Sequence, residues 1–352
     1  MIHNVQVLRA LAAWAVVLVH LKVILGLTHE IDFAWGVDLF FVISGFIMVY
    51  TTSESGVSPL LFLLRRIIRV APLYWIVTFA VFLLAVVVPS AFNSVEARLD
   101  HLVCSLFFVP FEKKDGLIQP IVFLGWTLNY EMFFYALFSV GLIFRGLEAR
   151  LAFLTGGIVS LVLIGTVVES ASVAFRFYTS PILLEFLFGV GVGCIVLKTN
   201  PLWPARTYVL VGTGAVLALV LAGVVLPASL SPTGWNLENR AITYGPIAAL
   251  VVHMAIRAEM AGIRVRSRGL IAQGDASYSL YLVHPFIYQI VTKILWLYFP
   301  PAGMADRILV FGIVLVVTMF AGLATHRLVE KPLGSFLASR LLKGRETRNH
   351  AT

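Results

Sequence analysis

Residues Val5 to Leu25 read VQVLRALAAWAVVLVHLKVIL, a stretch whose only ionisable side chains are Arg9, His20 and Lys22. A helix needs about 20 mainly apolar residues to cross the hydrocarbon core of a bilayer, so the stretch predicts a membrane-spanning helix. It is too long for the apolar core of a secretory signal and has no small-residue cleavage site. We therefore predict an uncleaved membrane anchor.

The composition of the whole chain agrees with this prediction. Its 352 residues are 60% hydrophobic and 12% charged, whereas a soluble domain carries about 25% charged residues. So few charges cannot cover the surface of a water-soluble globule, and they also exclude intrinsic disorder. Two cysteines exclude a scaffold held together by disulfides.

Nine further apolar stretches resemble the first one. The fold class predicted is therefore all-α, a polytopic membrane protein with about ten transmembrane helices. The predicted spans are 5–25, 33–52, 70–89, 123–144, 151–168, 179–197, 207–226, 241–256, 278–298 and 306–325. No linker or repeat separates them, so residues 1–335 are predicted to form one transmembrane domain, followed by a short basic cytoplasmic tail at 336–352.

Lysine and arginine are distributed unevenly around these spans. With both termini in the cytoplasm, the inner segments hold 17 of the 26 basic residues and the outer half holds 8, while Arg9 lies inside the first helix. Basic residues favour the cytoplasmic side of a membrane protein. The net charge of +8 is therefore attributed largely to orientation, and nucleic acid is excluded as a partner.

Several ionisable residues fall inside the predicted spans, where each costs a few kcal/mol and usually faces a cavity or a partner. Seven of them are considered as candidates for a site. They are Arg9, His20, Asp38, Glu131, Glu185, His253 and His284. Arg9 and His20 are 11 residues apart, which places them on one helix face about 16 Å apart along the axis. Alternatively, Arg9 extends to the phosphates of the inner leaflet and His20 caps a neighbouring helix.

His20 and Asp38 each lie six residues from the turn between the first two helices, and so at the same predicted depth. Asp38 could hold the His20 imidazole during proton abstraction, and Glu131 is a second candidate for this role. Glu131 and Glu185 fall in the same layer, so the sequence predicts a polar chamber. Proton-coupled transporters build such chambers too.

A second cluster lies on the predicted inner side, where Arg65, Arg66 and Arg69 follow one another at helical spacing. Guanidinium groups suit the recognition of phosphate, so this cluster and Arg9 could bind a phosphorylated cytoplasmic ligand. The alternative is an ordinary anchor on the cytoplasmic side. No metal-ligand spacing is present, and no metal is predicted.

Several motifs together resemble the acyltransferase 3 family of integral membrane acyltransferases. They are Leu8-Arg9-Ala10 followed by His20, GVDLFFVISGF at 36–46, Arg66 and Arg69 running into PLYW at 72–75, WTLNYE at 126–131, SYSLYLVHP at 277–285 and EKP at 330–332. Each motif alone is weak, but their order across ten spans makes a strong signal.

The resemblance implies an enzyme that takes an acyl group from cytoplasmic acyl-CoA and passes it to a hydroxyl group outside. It also implies that His20 is the catalytic residue and that Arg9, Arg66 and Arg69 are required. We assign acyl-CoA binding to these three arginines and catalysis to His20, Asp38 and Glu131. The residues assigned to a saccharide or lipid-linked acceptor are Trp35, Trp126, Tyr130, Glu185 and His284.

The enzyme is predicted to lie in the bacterial cytoplasmic membrane, with acyl-CoA as cosubstrate and acetyl as the default acyl group. Two other functions stay open on the sequence. A secondary transporter would use His20, Asp38 and Glu131 as a proton relay, although no inverted repeat is visible. A scaffold in a polysaccharide export complex would need neither Arg9 nor His20.

Overall fold

The computed structural model describes residues 2–27, 33–53, 56–91, 95–225 and 237–342. Fifteen α-helices lie in these ranges, which contain no β-structure beyond one isolated bridge between Glu112 and Ile118. The first eight are α1 His3–Leu21, α2 Trp35–Thr52, α3 Pro59–Val87, α4 Leu99–Leu106, α5 Gly125–Gly141, α6 Leu147–Val167, α7 Val173–Tyr178 and α8 Leu184–Lys198. The others are α9 Ala205–Val225, α10 Leu237–Thr243, α11 Gly245–Met260, α12 Arg268–Asp275, α13 Ser277–Tyr298, α14 Met304–Thr325 and α15 Lys331–Leu341.

Nine helical segments of the described chain are long and apolar enough to cross a membrane. They coincide with nine of the ten predicted spans. The tenth, 123–144, is α5, which has only 17 residues and a length of about 26 Å. The helix is shorter than the apolar run because turns precede its first residue, Gly125. A Cβ atom at Gly125 would lie 2.7 Å from Pro120 and 2.8 Å from Tyr74.

The span predicted at 70–89 begins eleven residues earlier, at Pro59. The Ser58 side chain accepts a hydrogen bond from the backbone N–H of Leu61, and proline occupies the first turn, both of which favour a helix start. Arg66 and Arg69 therefore lie inside α3 and not at its beginning. At the other end of the chain, α15 runs through the predicted domain boundary at 335/336, and residues 343–352 of the predicted tail lie outside the described ranges.

The chain divides into two compact units. The first unit comprises residues 1–47 and 188–328, and the second comprises 48–187 and 329–352. In the first unit α1 packs against α11, α12 and α13. The start of α1 is fixed because the Glu259 carboxylate accepts the backbone N–H groups of His3 and Asn4, at 3.1 and 2.7 Å.

The second unit is built around α3, which contacts α4, α5 and α15. The Trp75 indole N–H donates to the carbonyl of Leu106, at 2.8 Å, and ties α3 to α4. Along α4 and its end, Leu99, Val103 and Phe107 recur every four residues and are all exposed. The short apolar run from His101 to Phe111 predicts a re-entrant or an interfacial helix, and this exposed stripe fits the interfacial alternative.

Candidate active site

The first unit brings two histidines together at the end of α1. The His20 Nδ1 atom lies 2.9 Å from the carbonyl oxygen of Val16 and 3.1 Å from Nε2 of His284 on α13. The two ring centroids are 5.0 Å apart. His284 is fully buried, whereas His20 is half-buried. The contact places His284, which we assigned to the acceptor, directly against the predicted catalytic residue.

Asp38 has a different partner from the one predicted. Its carboxylate accepts two hydrogen bonds from Arg240, from Nε at 3.3 Å and from a terminal nitrogen at 2.5 Å. The same terminal nitrogen also donates to the carbonyl of Ala34, at 2.6 Å. Both side chains are buried, with exposures of 0% and 4%. Among the described contacts, Asp38 therefore holds Arg240 and does not form the predicted dyad with His20.

The physical reason is that equal depth does not imply a shared face. The sequence assigns Asp38 and His20 the same depth, but the Asp38 side chain points toward Arg240 of α10, which is 202 residues away in sequence. The sequence argument overlooked Arg240, which it only counted among the eight basic residues of the outer half. A single arginine beside an apolar span, on the side where basic residues are scarce, was the available signal.

Arg9 is buried in the first unit, with 8% of its surface exposed. One of its terminal nitrogens donates to the side-chain oxygen of Gln6, at 3.2 Å, one turn earlier on α1. An arginine that extends to lipid phosphates would be exposed, so this burial argues against that alternative. Arg9 thus presents its charge inside the protein.

The second unit contains the arginine cluster. The Arg66 guanidinium lies over the rings of Phe62 and Tyr135, at 5.3 and 5.8 Å from their centroids. Its Nε–H is buried and has no hydrogen-bond partner among the described residues. Arg65 and Arg69, by contrast, are exposed. Arg66 is therefore a semi-buried cation with one donor available.

Glu131 belongs to the same neighbourhood as Arg66. It is half-buried on α5, and its carboxylate accepts a hydrogen bond from the hydroxyl of Tyr135, one turn later on the helix. Because the Tyr135 ring also contacts Arg66, α5 presents a tyrosine and a carboxylate next to the cation of α3. The sequence had grouped Glu131 with His20 and Asp38, which belong to the first unit.

The other residues assigned to the acceptor lie in the interior of the units. Trp35 packs in the core of the first unit with 2% exposure, and Trp126 of the second unit has 8%. Tyr130 is fully buried, and its ring stacks on Phe177 with the centroids 3.8 Å apart. Glu185 is also fully buried. Neither Trp35 nor Trp126 therefore exposes a ring on which a sugar could stack.

The described residues contain no group of three or more His, Cys, Asp or Glu side chains that could hold a metal ion. What the geometry offers is an imidazole pair in one unit and, in the other, a guanidinium whose Nε–H has no partner in the described part of the chain. The first suits proton transfer, and the second suits the binding of an anion.

Comparison with known proteins settles the family. A family model described as an acyltransferase domain matches residues 2–327, nearly the whole chain. The chain belongs to the acyltransferase 3 family. It is 36% identical over 311 residues to the exopolysaccharide production protein ExoZ of Rhizobium meliloti (strain 1021), a match that covers 85% of this chain and 89% of that protein. No solved structure matches the chain.

The resemblance seen in the motifs is thus confirmed, and the protein is a multi-pass membrane acyltransferase. The motifs of this acyltransferase 3 protein lie on separate helices. Those at 8–20, 36–46 and 277–285 belong to the first unit, and those at 66–75 and 126–131 belong to the second. The residues assigned to acyl-CoA binding are divided in the same way, with Arg9 in the first unit and Arg66 and Arg69 in the second.

Proposed function

We propose that the protein is an O-acyltransferase that moves an acyl group, by default acetyl, from acyl-CoA to a hydroxyl group of an extracytoplasmic or lipid-linked saccharide. The donor is taken from the cytoplasm, so the enzyme lies in the bacterial cytoplasmic membrane with both termini inside. Support for a saccharide acceptor comes from the relative whose name assigns it to exopolysaccharide production.

The observation that carries the proposal is the His20–His284 pair. A half-buried imidazole with one ring nitrogen already engaged by Val16 and His284 is held in one orientation. Such a group is suited to act as a general base, which contributes about 10²- to 10⁴-fold to a rate. Asp38 is not needed for this orientation, because a second histidine provides it.

In the proposed reaction the His20 imidazole takes the proton of the acceptor hydroxyl while the hydroxyl oxygen attacks the thioester carbonyl carbon. A C–O bond forms and the C–S bond breaks. The proton held by the imidazolium then passes to the departing CoA thiolate, which restores the enzyme. In a variant of this mechanism, the His20 imidazole attacks the thioester, the C–S bond breaks and CoA thiolate leaves, which gives an acyl-imidazole. The acceptor hydroxyl oxygen then attacks the acyl carbon, the C–N bond breaks, and the hydroxyl proton passes through the released imidazole to the thiolate.

We assign Arg9, Arg66 and Arg69 to the phosphates of acyl-CoA. The best support concerns Arg66, because its buried Nε–H has no partner among the described residues and a phosphate oxygen would satisfy it. Tyr135, whose hydroxyl donates to Glu131, then lies beside that anion site. A transporter is less well supported, since Asp38 forms an ion pair with Arg240 and is therefore not available to relay protons.

The decisive experiment measures CoA release from acetyl-CoA by the purified protein in lipid nanodiscs, with and without exopolysaccharide. We expect release that depends on the acceptor, and its loss in His20→Ala. His253→Ala is the matched control, because His253 is also a histidine within a membrane helix but lies on α11 outside the pair. Full activity of His20→Ala would overturn the proposed role.

A second experiment tests the arginine cluster. Arg66→Ala should raise the KM for acetyl-CoA by about 10-fold or more, the loss expected when a charge-assisted hydrogen bond is removed. Arg65→Ala is the matched control, because Arg65 is an exposed neighbour on the same helix. If both variants change only the amount of protein in the membrane, the cluster serves topology and not the donor.

A further inference from the structure

The sequence His284-Pro285 produces an unusual local arrangement in α13. Pro285 lies inside the helix and has no N–H group, so the carbonyl of Tyr281, four residues earlier, lacks its usual helical donor. The Nδ1 atom of His284 lies 2.7 Å from that oxygen and 3.2 Å from the carbonyl oxygen of Leu280. The imidazole thus fills the gap that the proline creates.

This contact determines which nitrogen of His284 carries the proton. A carbonyl oxygen only accepts hydrogen bonds, so Nδ1 of His284 must be the donor. In the neutral ring the lone pair is then on Nε2, which is the atom that lies 3.1 Å from Nδ1 of His20. His284 therefore presents an acceptor to His20.

The protonation of Nδ1 of His20 follows from the two atoms that it faces. Its Nδ1 faces the Val16 carbonyl oxygen at 2.9 Å and the lone pair of His284, and both are acceptors. Only an N–H at this position satisfies them. In the opposite arrangement, His284 would donate from Nε2, and the lone pair of His20 Nδ1 would oppose the carbonyl oxygen of Val16.

We propose that His284 is a positioning residue that fixes His20 in the tautomer protonated at Nδ1, so that Nε2 of His20 is the reactive nitrogen. The inference rests on the proposed function and specifies which nitrogen of His20 takes the proton. The role that a carboxylate plays in catalytic triads falls here to a neutral histidine. When His20 takes up the proton of the acceptor, its Nδ1–H stays hydrogen-bonded to both partners.

The first test uses two amide variants that retain different halves of His284. Gln can present an oxygen to His20 from the position of Nε2, whereas Asn reproduces only the donor at the position of Nδ1. We expect His284→Asn to lower kcat about 100-fold, within the range of general-base contributions. The KM for acetyl-CoA should be nearly unchanged, and His284→Gln should recover at least a tenth of the wild-type kcat. Equal kcat for wild type and His284→Asn would overturn the proposal.

The second test requires no activity. Wild-type protein labelled with ¹⁵N at histidine is reconstituted in lipid and studied by NMR. The signals of the His20 ring nitrogens are identified because they are absent from the spectrum of His20→Gln. We expect Nδ1 to give the signal of a protonated nitrogen and Nε2 that of an unprotonated one. The reverse pattern would overturn the proposal even if His284→Asn failed to fold. If no protein, wild type included, releases CoA while the tautomer is as expected, the proposed function fails and the assignment of the tautomer stands.

Discussion

At the scale of single residues, the ion pair between Asp38 and Arg240 shows how a buried charge is tolerated in an apolar protein. Each charge alone would be costly, but the carboxylate takes two donors of the guanidinium, and a third contact goes to Ala34. Removing one partner of a buried pair costs about 3–5 kcal/mol, whereas replacing both with apolar groups is often neutral. This asymmetry separates a structural role from a catalytic one.

For this pair we expect Asp38→Ala to lower the amount of folded protein strongly, because the buried Arg240 loses the carboxylate that accepts two of its hydrogen bonds. The double variant Asp38→Leu with Arg240→Met should recover both folded protein and acyl transfer. Thermal unfolding in detergent and CoA release measure the two quantities. A double variant that folds normally but is inactive would restore Asp38 to the catalytic group.

Lys113 provides a pH-dependent prediction at the same scale. It lies in the loop between α4 and α5, is 7% exposed, and its ammonium has no hydrogen-bond partner among the described residues. Burial lowers the pKa of Lys113 from 10.5 to about 8, and Asp115 only partly opposes this. Between these pH values the unfolded chain binds more protons at this position, so stability should rise with pH.

We expect this rise to be about 1 kcal/mol per pH unit above pH 8, measured as thermal unfolding in detergent from pH 7.5 to 9.5. Lys113→Met should abolish the slope and raise the stability at pH 7.5. Lys114→Met is the control, since Lys114 is exposed and paired with Glu96 at 2.9 Å. An unchanged slope in Lys113→Met would contradict the assignment.

At the scale of elements, small residues decide how closely the helices of the first unit approach. A Cβ atom at Gly189 of α8 would lie 2.0 Å from the carbonyl oxygen of Val42 and 2.8 Å from the backbone nitrogen of Phe46, both on α2. Since these obstacles are backbone atoms, no side-chain rotation relieves the clash. Two positions along the same helix, a Cβ atom at Gly191 would meet no atom of the described residues within 4 Å.

The two glycines make a matched pair. Gly189→Ala should destabilise the protein by at least about 1–3 kcal/mol, the usual cost of overpacking. Gly191→Ala should be neutral or gain up to about 1 kcal/mol, because alanine is the better helix former. Thermal unfolding in detergent compares the two variants. Equal effects would mean that α2 and α8 do not pack as described.

At the scale of the whole molecule, the sides on which the two termini lie depend on whether α5 crosses the membrane. Nine described segments qualify as spans, and an odd number would place the termini on opposite sides. Helix α5 is shorter than the average hydrocarbon core of about 30 Å, but a bilayer can thin to match a short helix at modest cost. The predicted distribution of basic residues requires that it cross.

This prediction is tested by labelling single cysteines in a cysteine-free background with an impermeant maleimide. Lys114→Cys, before α5, should react in intact spheroplasts. Glu148→Cys, after α5, should react only once the membrane is broken. Reaction of both in intact spheroplasts would show that α5 does not cross, and the termini would then lie on opposite sides.

Much of this architecture was predictable from the sequence, because crossing a bilayer depends on local properties. Length and apolarity along the chain predicted nine spans, and a long apolar run predicted the tenth, but hydropathy did not reveal that turns shorten α5. Capping at Ser58 and Pro59 extended α3 beyond its apolar part. The same rule that favours apolar residues made the few ionisable ones conspicuous, so His20, Asp38, Glu131 and His284 were found by inspection.

The sequence by itself determined the class of the protein, its helices and the polar residues within them. Only the tertiary structure decided which of those residues meet. His20 contacts His284 across 264 residues, and Asp38 contacts Arg240 across 202. Depth in a membrane can be counted along the chain, but the direction a side chain faces depends on which helices pack around it. That choice is made by contacts such as Gly189 against Val42, which are distant in sequence.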